Sequence, residues 1–515
     1  VDGAVLSDKT RISVQKETAV LNSPQEYTYW SSPVSGETIA DGLSEASLQR
    51  RFWFNGQNFR DSTRETNNDN ATVAGQDDID DDANDWQFAS GGTVMNPGTG
   101  YAATHSAVGY TGPGNQYIYT FEGPFNNGVY NIPIFRNDAE TNDNNWNFIG
   151  NPYPSAVDAD LFLAANAGID QTVGATNGAI FFWSHNTGAN GNANGNEGFN
   201  YSQSDYAIIN GTGETAGGDG IVPNRFIPSG QGFFISMSDA APSTVVSGSI
   251  RTTDVVFNNS MRVTGNNAQF FRTSNGIQPN KIKLNLTSDN GIFNQILVGY
   301  VDGATNADDG MYYDARKNLA SNANTLLYSL LDTNSDKKFA IQGKAPNALT
   351  LEEIIPLGFF TKITDPTIYK LSIAELEGEF MTNNSIYVKD NLLNTIHNLS
   401  EADYHFSSET GEFNTRFEIV FQSEALSTGE NEIDSNQLTI VELPNGSVKF
   451  TIGSSNGLTI NTVEIIDLLG RTLYSLKGSN SSETFELHNL SQTVYLAKVR
   501  LSNGQTIIKR AVKRN

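Results

Sequence analysis

An all-β, multidomain protein is what this sequence predicts, on three observations. Short runs of alternating apolar and polar residues recur along its length, separated by clusters of Gly, Asn, Asp and Pro. Helical periodicity is confined to Leu351–Ile355 and the segment 318–327. The surplus polarity lies in Asn, Ser, Thr and 47 Gly, residues that favour turns and strand surfaces over helices. At 515 residues the chain exceeds a single hydrophobic core, and length alone suggests roughly three or four domains. The expected architecture is a series of β-sandwich or jelly-roll-like domains followed by a small C-terminal Ig-like sandwich.

The first domain is expected over residues 1–250. All five tryptophans (Trp30, Trp53, Trp86, Trp146, Trp183) fall within it. Its aromatic strands YTYW (27–30), RFWF (51–54), QYIYTF (116–121) and AIFFW (179–183) alternate with loops such as 186–198 and 211–220, too rich in Gly and Asn for helix or strand. Long loops on a β-scaffold are where binding usually resides. A faint echo links Tyr29–Ser35 and the IADGL that follows with Trp146–Ser155 and the VDADLFL that follows. Each reads as a strand, a proline turn and a short helical turn.

A second β-domain is expected over 251–424, carried by KIKLNLTS (281–288), QILVGYV (295–301), IYKLSI (368–373), SIYVKD (385–390) and RFEIVF (416–421). Residues 425–437 are polar and poor in large apolar side chains, as a tether should be. The last module then spans 438–515, where Val463 and Ile465, and Tyr495, Ala497, Val499 and Leu501, alternate in strand period. Gly470 and Gly504 sit at its expected hairpin turns.

Composition excludes several classes of function. A formal charge of −25 argues against nucleic-acid binding, which needs clustered Lys and Arg. The absence of cysteine excludes disulfides, thiolate metal sites and Cys nucleophiles. No apolar run reaches the roughly 18 residues of a helical membrane span. The start VDGAVLSDKTRISV lacks the basic and apolar regions of a signal peptide.

Leu469-Gly470-Arg471, the strand Tyr495-Leu496-Ala497-Lys498-Val499 and the basic end from Lys509 to Lys513 resemble the C-terminal sorting domains of proteins exported by the Bacteroidetes type IX secretion system. Leu443-Pro444-Asn445-Gly446 stands where the family opens on Pro-Asn-Pro, and Ser491–Val494 lacks its usual glycine, so the likeness is closer to the type C variant than to type A. YTYWSSPVSG (27–36), WNFIGNPYPSAVDADLFL (146–163), IPSGQGFFI (227–235) and FNNSMR (257–262) resemble tracts upstream of such domains in surface proteins of that phylum. The resemblance implies export across the outer membrane, with the translocon and a barrel shuttle protein as partners. It implies sorting contacts at Gly470, Arg471, Tyr495, Lys498, Lys509 and Lys513, and a signal peptide upstream of Val1. Residues 498–515 carry six Lys or Arg and no acid, a sign reversal that suits docking on an acidic surface.

Candidate chemistry within the body is sparse. Asp77, Asp78, Asp80, Asp81, Asp82 and Asp85 offer hard oxygen ligands for Ca²⁺, although they lack the EF-hand spacing and read equally as a solvated acidic loop. The five histidines form no metal-ligand spacing, and there is no G-x-S-x-G elbow or P-loop, so the sequence leans away from an enzyme. Trp53, beside Asn55 and Gln57, and Trp183, beside His185 and Asn186, are candidate glycan-stacking residues as well as candidate core anchors. The sequence therefore reads as an exported adhesin or surface-binding protein. The alternatives are the non-catalytic part of a secreted polysaccharide-degrading enzyme and a subunit of a surface filament.

Overall fold

The computed structural model describes residues 12–59, 85–138, 145–168, 173–186, 188, 205–263, 279–317, 324–332, 337–365, 367–422, 438–453, 458–467, 471–488, 490, 492–502 and 506–514. Among them the protein is all-β and multidomain, with nine sheets and three short α-helices, Ile39–Gly42, Ala159–Asn166 and Glu379–Asn383.

The first unit is a stack of sheets. A front sheet orders Tyr27–Trp30, Tyr101–His105, Ala46–Phe54 and Trp86–Phe88. A middle sheet orders Glu214–Thr215 (a short strand inside the stretch 211–220 expected to be loop), Tyr206–Asn210, Ala179–Trp183, Gly232–Ser236 and Trp146–Gly150. Alternate residues of a strand face opposite sides. Tyr29 and Phe54 thus meet Phe148, Phe181 and Phe234 in one aromatic core, while Trp30 and Tyr101 face away into a second core with Tyr119 and Phe121. On its far side the middle sheet presents Ile149, Ile180, Phe233 and Ile235 to Ile134, Val255 and the helix residue Phe162. A back sheet supplies Ile134 and Val255, ordered Thr244–Ser247, Ile250–Phe257 and Tyr130–Asn137. Ile250–Phe257 pairs with Tyr130–Asn137 along its whole length, so the sheets of the first unit run through Phe257, seven residues beyond the boundary expected at 250.

Both echoed segments contain the elements their pattern implies. Thr38 caps Ile39–Gly42 by accepting from the Asp41 N–H, and Asp158 caps Ala159–Asn166 by accepting from the N–H groups of Asp160 and Leu161. Each helix follows a strand and a proline turn.

The second unit is a sandwich. Five strands (Ile341–Lys344, Phe293–Tyr300, Asn280–Ser288, Tyr369–Glu377, Tyr404–Phe406) face six, with Ile354–Thr361 and Gly411–Val420 at the centre of the latter. Leu284, Ile296, Leu357, Phe359, Phe406 and Phe417 fill the space between. The brief helical periodicity at Leu351–Ile355 gives no helix. Ile354 and Ile355 begin a strand paired with Val420 and Ile419, where β-branched side chains fit the pleat and Pro356 resists helix. Likewise Thr325–Leu330 is a strand where the sequence suggested a helical segment over 318–327, of which 318–323 lie outside the described residues.

The two units are welded together. The turn after Tyr206–Asn210 meets the loop 310–316: Gly211 N–H donates to the Tyr312 carbonyl (2.8 Å), and the Thr212 hydroxyl donates to the Tyr313 carbonyl (2.8 Å). Leu297, Met311 and Ile341 extend the aromatic core of the first unit. Lys283, nearly buried, binds Glu214 of the first unit at 2.9 Å and Glu375 of the second at 2.8 Å.

The third unit places Leu438–Glu442, Ser447–Ile452 and Ser482–Glu486 against Thr472–Lys477, Ile460–Ile466, Thr493–Leu501 and Thr506–Lys513. Among the described residues its core draws only on its own, including Phe450, Val463, Ile465, Tyr495, Ala497, Val499 and Leu501.

Candidate functional site

Two places gather the residues that the sequence singled out. The first is the mouth between the front and middle sheets. Trp183 ends its strand and pairs with Tyr206, which opens the next. The two rings meet edge to face at 5.0 Å, and Trp183 stacks on Tyr29 at 6.0 Å. The Trp183 indole N–H donates to His185 Nδ1 (3.0 Å), and the same nitrogen accepts the Tyr27 backbone N–H (3.1 Å). His185 must therefore carry its proton on Nε2. Burial pushes its pKa down to about 4, so the ring is neutral at physiological pH. His185 adopts a left-handed backbone (φ +43°), a sparsely used conformation for a side chain of this size.

Trp53 lies elsewhere. Its strand neighbour Phe54 belongs to the aromatic core, and Trp53 packs against the opposite core with Trp30 and Tyr101. One strand parity thus separates the two candidate tryptophans. In place of Trp53, the structure sets Tyr206 and Tyr29 against Trp183, with Trp86 on Tyr29 and Phe52 on Tyr27, contacts that depend on non-local pairing.

The tracts resembling surface-protein sequences also converge, and they build a knot. Trp30 bridges Gln231, Ser31 N–H donates to the Gly230 carbonyl (2.7 Å), and Asn151 N–H donates to the Gln231 carbonyl (2.9 Å). The Asn151 amide spans the carbonyls of Ser155, Ile227 and Pro228, while that of Asn126 joins Ser32 to Pro152. Arg262 from the FNNSMR tract donates to Ser155 Oγ and lies over the Tyr153 ring. These motifs satisfy one another's backbone groups, so their role here is to fasten strands.

The second place is the third unit. Tyr495 is buried in its core. Lys513 is buried and bound to Glu442 at 2.5 Å, and Lys509 donates to the Leu438 carbonyl (2.7 Å); together they tie the last strand to the first strand of the opposite sheet. Arg471 pairs with Asp467 at 2.8 Å, and Gly470 lies outside the described residues. The residues that face outward are Lys498, Arg500 and Arg510, on alternate positions from the buried ones. Lys498 stands 3.7 Å from Glu464, whereas Arg500 and Arg510 are exposed. The sequence pointed to a basic end, and strand parity, once register is known, divides it into inner and outer cations.

Of the acidic tract, Asp77, Asp78, Asp80, Asp81 and Asp82 lie outside the described residues. Asp85 is buried, its carboxylate accepting the Trp86 N–H at 2.7 Å. Among the described residues no group of three or more His, Cys, Asp or Glu is placed to hold a metal.

The chain belongs to the family described as Domain of unknown function (DUF8693), whose model matches residues 3–421. A second family model, Domain of unknown function (DUF8694), matches residues 426–513, so the two meet between the second and third units. No curated protein matches. Among solved structures, Tp47, the 47-kilodalton lipoprotein of Treponema pallidum, aligns with 65% of this chain and 86% of its own length at 12% identity and a TM-score of 0.14, too slight a likeness to carry an argument.

Proposed function

We propose that this chain is a secreted or cell-surface binding protein exported by a type IX secretion system. In this reading the third unit is the export module, and the first two units are the body displayed outside the cell. The observation that carries it is the third unit itself, a sandwich with its own core that turns Lys498, Arg500 and Arg510 outward on a strongly acidic chain. Such a face suits electrostatic docking on an acidic partner, here the outer-membrane translocon or its barrel shuttle. The inner cations Lys509 and Lys513 hold the module together and contribute to docking only through its shape.

The test is charge reversal on the outer face: Lys498, Arg500 and Arg510 changed together to Glu, with secretion followed in a type IX-competent host. Secretion should drop while the melting temperature of the module stays near that of the wild type. Release at the wild-type level would contradict the docking role.

A further inference from the structure

We propose that the mouth of the first unit is a carbohydrate-binding ledge, whose ligand is an uncharged polysaccharide chain. This rests on the surface-binding reading above and supplies its ligand class. Six rings line the edges of two sheets in two runs of three, joined by one hydrogen bond. From the middle sheet come Tyr206 and Trp183, their centroids 5.0 Å apart, then His185 at 5.4 Å from Trp183. The His185–Tyr27 hydrogen bond crosses to the front sheet, where Tyr27, Phe52 and Phe88 follow at successive spacings of 6.3 Å. Five of the six are part-buried, Tyr27, Trp183 and Tyr206 packing against the aromatic core, and Phe88 is 54% exposed, so each residue of the row keeps some surface in water.

Three features make this more than the rim of a core. First, the row is pre-organised. His185 Nδ1 accepts from both sides of the mouth, which fixes the Trp183 indole before any ligand arrives and lowers the ordering cost of binding. Second, this fixation relies on a left-handed histidine, and strained residues persist where the surroundings hold them for a purpose. Third, the rings themselves are uncharged: one neutral imidazole among phenyl, phenol and indole rings. An aromatic face is electron-rich, and the C–H groups on a pyranose face are its electropositive complement. Gln25 and Asn186, exposed and within two residues of Tyr27 and His185, carry amides that can hydrogen-bond hydroxyls, that of Asn186 also donating to the Gly218 carbonyl (2.8 Å).

The experiment titrates the full chain with glucan-, xylan-, mannan- and galactan-derived hexasaccharides, following tryptophan fluorescence and calorimetric heat. At least one should bind and perturb the emission. Trp183→Ala should weaken that binding by about tenfold, the equivalent of about 1.4 kcal/mol for one lost stacking ring. Phe88→Ala, which removes a mostly exposed ring and leaves the core intact, should weaken it by about threefold and keeps the test decisive if Trp183→Ala misfolds. Wild-type affinity in Phe88→Ala, or in a folded Trp183→Ala, would overturn the site. A full chain that adheres to whole cells but binds no saccharide overturns the ligand class and leaves the surface-binding reading standing. A chain that does neither overturns both.

Discussion

Replacing Lys513 with Met separates a fastening lysine from a docking one. The Lys513 side chain is 3% exposed and its partner Glu442 is 12% exposed, with 2.5 Å between Nζ and Oε1. Removing the ammonium leaves a carboxylate nearly out of water, its other oxygen still accepting the Arg514 N–H at 2.7 Å. Breaking a buried pair from one side costs about 3–5 kcal/mol, and the surviving hydrogen bond places this case near about 3. A domain of fewer than 100 residues loses roughly 4–8 °C per kcal/mol, so the melting transition of the third unit should fall by about 12–24 °C. The double replacement Lys513→Met with Glu442→Leu should recover most of the loss, because no uncompensated charge remains. Differential scanning calorimetry on the full chain resolves this, provided the third unit melts apart from the welded first and second units. A single variant that melts like the wild type would refute the buried-pair argument and return Lys513 to the surface.

Four further outcomes follow from the interior. Arg416 and Asp390 are 3.0 Å apart and buried in the second sandwich, where Arg416 also lies over Phe417; Arg416→Met should cost about 3–5 kcal/mol, read from the denaturant midpoint. Two groups give opposite pH slopes. His185 is held down at about 4, so the unfolded chain binds the extra proton and stability should fall as pH drops from about 6.5 towards 4, a slope that His185→Asn removes. Burial, and to a smaller degree the carboxylates of Asp308 and Asp309, raise Asp314 to about 7, so the folded chain binds the extra proton and stability should fall as pH rises from about 4 to 7. Asp314→Asn should flatten that second slope in thermal melts across pH. Finally, a Cβ at Gly211 would meet the Tyr312 ring at the weld between the first two units, so Gly211→Ala should speed limited proteolysis between them.

The sequence carried the fold class because strand alternation is local. Val463 and Ile465, and Tyr495, Ala497, Val499 and Leu501, are buried as their period implies. Local pattern could not say which strands meet. Trp53 and Trp183 looked alike as aromatic residues at strand ends, yet pairing of Trp53 with Tyr101 and of Trp183 with Tyr206 sends them to different cores. The Tyr206–Trp183–His185–Tyr27 row joins residues up to 179 positions apart and needed the sheet order to be seen. The same holds for the basic end, where Lys509 and Lys513 turn inward only because the last strand packs beside Leu438–Glu442. At Leu351–Ile355 a short helical period was overridden by pairing with Gly411–Val420.

The central claim is that the third unit is an address carried by a separately folded body. Its most direct test is deletion of Leu438–Asn515, with the location of the remaining chain followed in a type IX-competent host. The truncated chain should fold, keep the melting transition of the first two units and stay in the periplasm. Release of that folded body into the medium at the wild-type level would contradict the account.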